Sequence, residues 1–507
     1  MTNGDALYRE RFRPQYHLTP PHGPMSDPNG MVYVAGEFHQ FYQFTGRWGH
    51  AVSRDLLHWE HLPLALVGDE LGDIWSGSCV VDRRNTSGLF RDEYGMVALF
   101  THFKDGLQSQ SMAYSRDKGR SWTKYADNPV IQNPGLKDFR DPKVLWHEGT
   151  ERWVMLVSVD REVYFYSSPN LTDWRHESRF GEGQGSQTAV WECPDLFLLP
   201  VDGESGPGKW VLHVSIGDNR ETDGSTAQYF VGQFDGRRFL NDDETGGDVR
   251  LTDYGQDFYA AVTYSDIPAE DGRTIWLGWT SNWKYPFAGP TSPWKGGMSL
   301  PRSLSLKRGE DGKLALRQRP IAELERLRDM SRRLVDTVVA DDTLRLDFAG
   351  RSFELEAEAE WETIAAFGIR VRVSETEATE IGYRPGAADA ALASGQGAHC
   401  ASPLGEVYVD RHRSGLSEFV SREGKPFDFG KRFVAPHSTH GNRIKLRVFV
   451  DECLVELFVD DGVTVFTTLI YPQPESEGIE LFAKGGAVTF TRLDVHRMRS
   501  IWPKHNV

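Results

Sequence analysis

Apolar and polar positions alternate without a break from Phe353 to Trp361. A period of two puts the apolar residues on one face of a strand and predicts Glu354, Glu356, Glu358 and Glu360 facing water. Ile444 to Val450 and Leu454 to Val459 continue in the same style. Asp461-Gly462 then precedes Val463-Thr464-Val465-Phe466, which predicts a hairpin. Gly485-Gly486 predicts a second hairpin, between Ile479-Glu480-Leu481-Phe482 and Val488-Thr489-Phe490. This end of the chain reads as an antiparallel β-sandwich and contains no catalytic constellation.

The first three hundred residues carry an internal echo instead. Ala51-Val52-Ser53-Arg54-Asp55 is followed by Trp59, and Ala113-Tyr114-Ser115-Arg116-Asp117 by Trp122. Phe165-Tyr166-Ser167-Ser168-Pro169 is followed by Trp174, and the fainter Phe230-Val231-Gly232 by Phe239. Each copy is an apolar strand, a polar turn and an aromatic. Short strands repeating at roughly 50 residues suggest propeller blades. Between the two halves, Pro320 to Leu327 reads as a short helix with proline in its first turn. The expected organisation is all-β: a propeller over 1–318, a linker helix over 319–333 and a sandwich over 334–507.

Composition narrows the partners. With 507 residues the chain buries a core without disulfide or metal staples. Its net charge of −16 disfavours phosphate backbones and anionic lipid, so neither nucleic acid nor membrane is expected. The 15 Trp, 17 Tyr and 28 Phe suit both a β core and sugar-facing surfaces. Cys79, Cys193, Cys400 and Cys453 are far apart and form no CxxC pair, so free, buried thiols are expected. His58 and His61 have no further ligands nearby, so no metal is expected. The N-terminal segment has no apolar core of a secretory signal, and no run of 18 apolar residues occurs. The simplest location is therefore cytoplasmic.

Three acidic motifs stand out. They are Met25-Ser26-Asp27-Pro28-Asn29-Gly30, Phe139-Arg140-Asp141-Pro142-Lys143-Val144 and Trp191-Glu192-Cys193-Pro194-Asp195-Leu196. Each sets a carboxylate beside a proline, between turn and strand. Blades radiate from one axis, so such positions can converge on one end of the channel. Three convergent carboxylates suit glycoside chemistry, with one nucleophile, one acid/base and one group that orients the sugar. Asp-Pro is also an ordinary turn, and spacing alone leaves that reading open.

Together the motifs closely resemble glycoside hydrolase family 32, the invertase, inulinase and levanase family. The resemblance includes Phe41-Tyr42-Gln43, Trp48-Gly49-His50, Trp75-Ser76-Gly77-Ser78 and Asp257-Phe258-Tyr259-Ala260. It continues through Gly278-Trp279-Thr280-Ser281-Asn282-Trp283 and Pro293-Trp294-Lys295-Gly296-Gly297-Met298 to Val455-Glu456-Leu457-Phe458-Val459. It implies a five-bladed propeller followed by a sandwich. It also implies Asp27 as nucleophile, Glu192 as acid/base and Asp141 as transition-state stabiliser. Asp27 must be ionised to attack, and Glu192 must first hold a proton for the leaving oxygen. Arg140 is expected to face inward and hold Asp141 ionised. Ser26, Asn29, Gln43, Trp48, Trp75, Ser76, Arg140, Tyr259 and Trp279 are the candidate substrate-binding residues. His50 and Asp195 are expected to hold blades together. The family retains configuration, which requires the two reacting carboxyl groups about 5–5.5 Å apart. No cofactor is implied.

The sequence departs from the family twice. The first motif usually reads Trp-Met-Asn-Asp-Pro-Asn-Gly, whereas Ser26 precedes the nucleophile here and Pro24 replaces the Trp. Only Phe44-Thr45-Gly46-Arg47 separates Gln43 from Trp48, where relatives carry a longer loop with an extra Trp. One side of the fructose pocket is therefore expected to be more open or filled by another group. The resemblance implies release of terminal fructose from β-2,6 or β-2,1 fructans, with sucrose a lesser substrate. A fructosyltransferase, an enzyme releasing di-fructose or oligosaccharides, and a non-catalytic fructan-binding lectin are the alternatives. The sandwich is expected to be a packed support rather than a sugar-binding module.

Overall fold

The computed structural model describes residues 7–91, 94–386, 404–439 and 441–503. Among these, the N-terminal half forms five four-stranded antiparallel sheets. Their first strands are Pro28–Val34, Asp73–Asp82, Phe139–His147, Trp191–Leu199 and Tyr259–Thr263. Each of these strands touches the next, and the fifth returns to the first. Tyr33 N–H donates to the Ser265 carbonyl and Ser265 N–H to the Met31 carbonyl, both at 2.9 Å, which closes the ring. The result is a five-bladed propeller with those five strands around its axis.

The sequence echoes fall on the third strands of the first four blades, Trp48–Ser53, Leu107–Ser115, Glu162–Ser168 and Gly224–Phe234. In the first three blades the repeated residues build the same turn. Ser53, Ser115 and Ser168 hydroxyls reach Asp55, Asp117 and Asn170 side chains at 3.1, 2.8 and 3.1 Å. Those side chains then accept backbone N–H groups two to four residues on. The echo is thus the chemistry of an Asx turn between third and fourth strand.

The C-terminal half is a sandwich of two six-stranded sheets. Its core interleaves Phe353, Leu355, Val448 and Leu457 of one sheet with Phe367, Ile369 and Leu481 of the other. The Asp461-Gly462 hairpin joins Leu454–Val459 to Thr464–Leu469. Gly485-Gly486 is not a hairpin, which corrects the expectation. Gly478–Lys484 and Ala487–Met498 lie in different sheets. A side chain on Gly486 would meet the Thr363 carbonyl at 2.1 Å, so the pair lets the chain cross an edge of the sandwich. Glu354 corrects a second expectation. It is fully buried, because Arg328 and Arg447 each reach it at 2.7 Å.

The segment between the halves holds a 3-10 helix, Ala322–Leu327. Pro320 ends the preceding strand, Leu314–Pro320, and the first sandwich strand starts at Arg328. Leu324 and Leu327 stand three apart on one side and are both buried, which a three-residue turn allows. Cys79, Cys193 and Cys453 are free and buried, and Cys400 lies outside the described residues. No helix among the described residues is long and apolar enough to cross a membrane.

Candidate active site

Every first strand carries a β-bulge at the same place. Gly30-Met31, Trp75-Ser76, Asp141-Pro142, Cys193-Pro194 and Ala260-Ala261 each stand as two residues against one on the neighbouring strand. Gly30, Asp141, Cys193 and Ala260 take φ of 51, 62, 48 and 54°. For the three that are not glycine, left-handed backbone costs on the order of 1 kcal/mol each. Consecutive side chains of a regular strand point to opposite faces. The bulge breaks that alternation and turns adjacent residues toward one place. Proline fits here because the bulged residue has no ladder bond to lose.

The three motif carboxylates meet at this ring of bulges. Asp27 Oδ2 accepts from Ser76 Oγ at 2.7 Å, while Asp27 Oδ1 is shielded from solvent and has no partner among the described residues. Asp141 Oδ2 accepts from the Cys193 N–H at 3.0 Å. The Cys193 thiol lies between the two aspartates, 3.9 Å from Asp27 Oδ2 and 3.7 Å from Asp141 Oδ2. Glu192 Oε1 accepts from Arg140 Nη2 at 2.9 Å, and Oε2 from the Tyr259 hydroxyl. All five blades contribute to this cluster.

Its electrostatics follow from burial. Burial pushes Asp27 up to about 6. The Ser76 hydrogen bond opposes this and the Glu192 charge adds to it. Burial pushes Asp141 up to about 7, against the pull of Arg140 and with the push of Glu192 and Asp27. Burial also raises the Cys193 thiol, so it stays neutral between two acids.

Arg140 does face inward, but its partners differ from those expected. Its short contacts go to Glu192 and to Asp138 at 2.7 Å, and it comes only within 3.9 Å of Asp141. The bulge explains this, since it turns Asp141 toward Cys193 rather than alongside its neighbour's guanidinium.

The other candidates fall in two groups. Asn29 and Gln43 side-chain amides lie 3.3 Å apart, and Gln43 Nε2 donates to the Ile74 carbonyl at 2.8 Å. Ser26 ties its N–H to the Gln43 carbonyl at 3.2 Å. Trp75 is partly exposed and stacks on Phe103 at 4.1 Å. These residues surround Asp27. Asn29, Trp48 and Trp279 do not reach open space, as all three are 0% exposed, which corrects the expectation that they contact substrate. Trp48 donates its indole N–H to the Trp75 carbonyl at 2.9 Å, holding the second bulge from behind. Trp279 packs on Tyr259 and Trp283, at 6.4 and 5.0 Å between rings. Asp195 is buried and joins three blades, with Lys143 at 3.1 Å and the Thr263 N–H at 2.5 Å. His50 is buried against His39 at 3.0 Å on the neighbouring strand, so it joins strands within the first blade rather than two blades, which corrects the expectation.

The sequence reading missed Asp138, Thr101 and the role of the Cys193 thiol. Thr101 Oγ1 accepts the Asp141 N–H at 3.0 Å and so fixes the third bulge. Asp138 was legible in principle, two residues before Arg140. Thr101 was not, because no local pattern says which residue lies opposite a bulge.

Three carboxyl groups gathered at one end of a propeller axis suit glycoside hydrolysis, and the comparisons with known proteins agree. Residues 17–320 match the model of the glycosyl hydrolases family 32 N-terminal domain, and residues 323–497 that of the family's C-terminal domain. The chain belongs to glycosyl hydrolase family 32. It is 45% identical to a levanase of Bacillus subtilis over 98% of this chain and 72% of that protein. It is 34% identical to an extracellular exo-inulinase of Aspergillus niger over 98% of this chain and 96% of that one. The crystal structure of the Aspergillus awamori exo-inulinase superposes with a TM-score of 0.86 at 32% identity, covering 98% of this chain and 100% of that one.

Proposed function

We propose that this chain is a retaining β-fructosidase that releases terminal fructose from levan or inulin, and from sucrose as a lesser substrate. The observation that carries the reading is the division of labour among Asp27, Asp141 and Glu192. Ser76 anchors one oxygen of Asp27 and leaves the other without a partner. The Asp27 carboxylate attacks the anomeric carbon of the terminal fructosyl unit. Glu192 gives its proton to the leaving oxygen as the glycosidic bond breaks. The product is a fructosyl ester on Asp27 and a shortened chain. Glu192, now a carboxylate, takes a proton from water. The water oxygen attacks the same carbon, fructose leaves and Asp27 returns. Asp141 accepts hydrogen bonds from fructose hydroxyls as positive charge grows on the ring. Two inversions at one carbon retain configuration.

Levan or inulin as substrate agrees with the levanase and exo-inulinase relatives. The test is product analysis on levan, inulin and sucrose in parallel, following chain length with time. Fructose as the sole early product is expected, with a fructan turned over faster than sucrose. Disaccharides or longer oligomers as first products would replace the exo mode. Transfer products at high substrate would favour the transferase. Fructan binding without turnover would favour the lectin.

A further inference from the structure

The sandwich reaches over the rim of the site by one hairpin. Its strands are Glu418–Val420 and Pro426–Asp428. The base is fixed in the aromatic contact between the two halves, where Phe427 stacks on Tyr285 with 5.3 Å between rings. The tip is fastened to the propeller, since Arg422 N–H donates to the Lys284 carbonyl at 3.0 Å. The Arg422 guanidinium sits 5.1 Å from the centre of the Trp283 ring. Trp283 in turn meets Tyr259, edge to face at 6.4 Å, and Tyr259 holds Glu192. An unbroken line of contacts thus runs from the acid/base to the hairpin tip.

Among the described residues, the Arg422 and Asp218 side chains at this rim have no hydrogen-bond partner. The Arg422 side chain is exposed and makes no hydrogen bond or ion pair among the described residues. Asp218 is exposed and likewise makes none through its carboxylate. It lies at the end of Lys209–Asn219, the strand that pairs Ser215 with Glu192, and it feels the charges of Lys284, Glu423, Asp223 and Arg422. One free donor fork and one free acceptor, backed by an indole, suit a neutral polyhydroxylated ligand. With opposite charges side by side, the pair as a whole favours neither an anion nor a cation.

We propose that Arg422 of the sandwich hairpin, together with Asp218 of the propeller, binds fructosyl units of a polymeric substrate on the leaving-group side of the scissile bond. The inference rests on the role proposed for Glu192. An acid/base must reach the glycosidic oxygen, which departs with the leaving group. We assign the groups next outward from Glu192 through Tyr259 and Trp283 to that part of the chain. The sandwich then takes part in choosing long substrates over short ones, beyond its structural support.

The experiment compares kcat/KM of the full-length chain on sucrose and on β-linked fructo-oligosaccharides of three to five units. Wild type, Arg422→Ala, Arg422→Lys and Asp218→Asn are measured side by side. Arg422→Ala is expected to lower the ratio of the five-unit to the sucrose value about fivefold or more, mainly through KM. Arg422→Lys should restore part of it, and Asp218→Asn should lower it less. An unchanged ratio in Arg422→Ala would overturn the proposal. So would an equal loss on every substrate, which a merely structural role produces. A wild type that hydrolyses none of these sugars would instead remove the functional reading, and this inference with it.

Discussion

Arg140 Nη2 lies 2.9 Å from Glu192 Oε1, so its guanidinium is bound to the proposed acid/base and not to Asp141, the next residue in its own strand. Its charge still acts on both aspartates, drawing Asp141 and Asp27 below where burial would set them. Arg140→Gln removes that pull and leaves three carboxyl groups without a cation. The acid limb of kcat/KM should move up by about one pH unit or more. Activity at pH 7 should fall at least about tenfold. Arg140→Lys restores the charge but not the fork, so it should bring back the limb more than the rate. A pH–rate profile of the three proteins is the measurement. An unmoved limb in Arg140→Gln would contradict the electrostatic role.

In wild type the acid limb should lie near pH 6, well above an ordinary carboxylate, because burial pushes Asp27 up to about 6. Asp27→Ala and Glu192→Ala should each lower turnover about a thousandfold or more while the fold is kept. Asp27→Asn adds a stability test. A folded carboxyl raised above its unfolded value binds the proton more tightly when folded. Stability is then lost as pH rises through the window from about 4 to about 6. The amide avoids that loss. At pH 8, Asp27→Asn should be more stable than wild type by about 1–3 kcal/mol, and at pH 4.5 the gain should shrink to about a third of that. Thermal melts at the two pH values decide it.

Much of this arrangement was legible, for identifiable reasons. The blades could be read because an Asx turn needs particular residues at fixed offsets, and Ser53, Ser115 and Ser168 supply them in three successive blades. The carboxylates could be read because each stands within two residues of a proline near the start of a strand, a local signature. Partners across the ring could not. Nothing near Arg140 in the chain says that its guanidinium turns to Glu192, 52 residues away. The alternation at Phe353 to Trp361 marked the strand but not the arginines that bury Glu354. Gly485-Gly486 marked a turn, and only the sheet order tells a hairpin from a crossing.

The contact between the halves carries its own pH dependence. His17 is buried between Asp451 at 2.8 Å and Glu456 at 3.2 Å. Burial alone would lower it, but these two carboxylates outweigh burial and hold it up to about 9. A histidine raised on folding contributes stability that is complete below about 6.5 and fades as pH rises through about 9. Wild type should therefore lose thermal stability steadily between pH 6.5 and 9. His17→Gln should be less stable than wild type at pH 6 and should show a flatter decline. Melting curves across that range test it, and parallel declines in the two proteins would reject the assignment.

Arg302 makes the strongest case that the propeller needs the sandwich. It is fully buried on the third strand of the fifth blade, Arg302–Arg308. Nη2 donates to Glu456 at 2.7 Å and Thr467 at 2.6 Å, both from the sandwich, and Nη1 to Asp253 at 3.2 Å and Gln318 at 2.8 Å within the propeller. Around it Met25, Tyr42 and Leu324 share one apolar cluster with Phe449, Phe458 and Val465 of the sandwich. Ending the chain after Leu327 would expose that cluster and strand the charges of Arg302 and Asp253. Such a truncation should be insoluble or unfolded. Arg302→Ala in the full chain should cost about 3–5 kcal/mol, because it leaves Glu456 and Asp253 buried with one cation fewer. Adding Glu456→Gln to Arg302→Ala should recover part of that loss, since one stranded charge is gone. Denaturant unfolding of the two single variants and the double variant closes the cycle. A soluble, active propeller ending at Leu327 would mean that the sandwich's main contribution is to the substrate rather than to the fold.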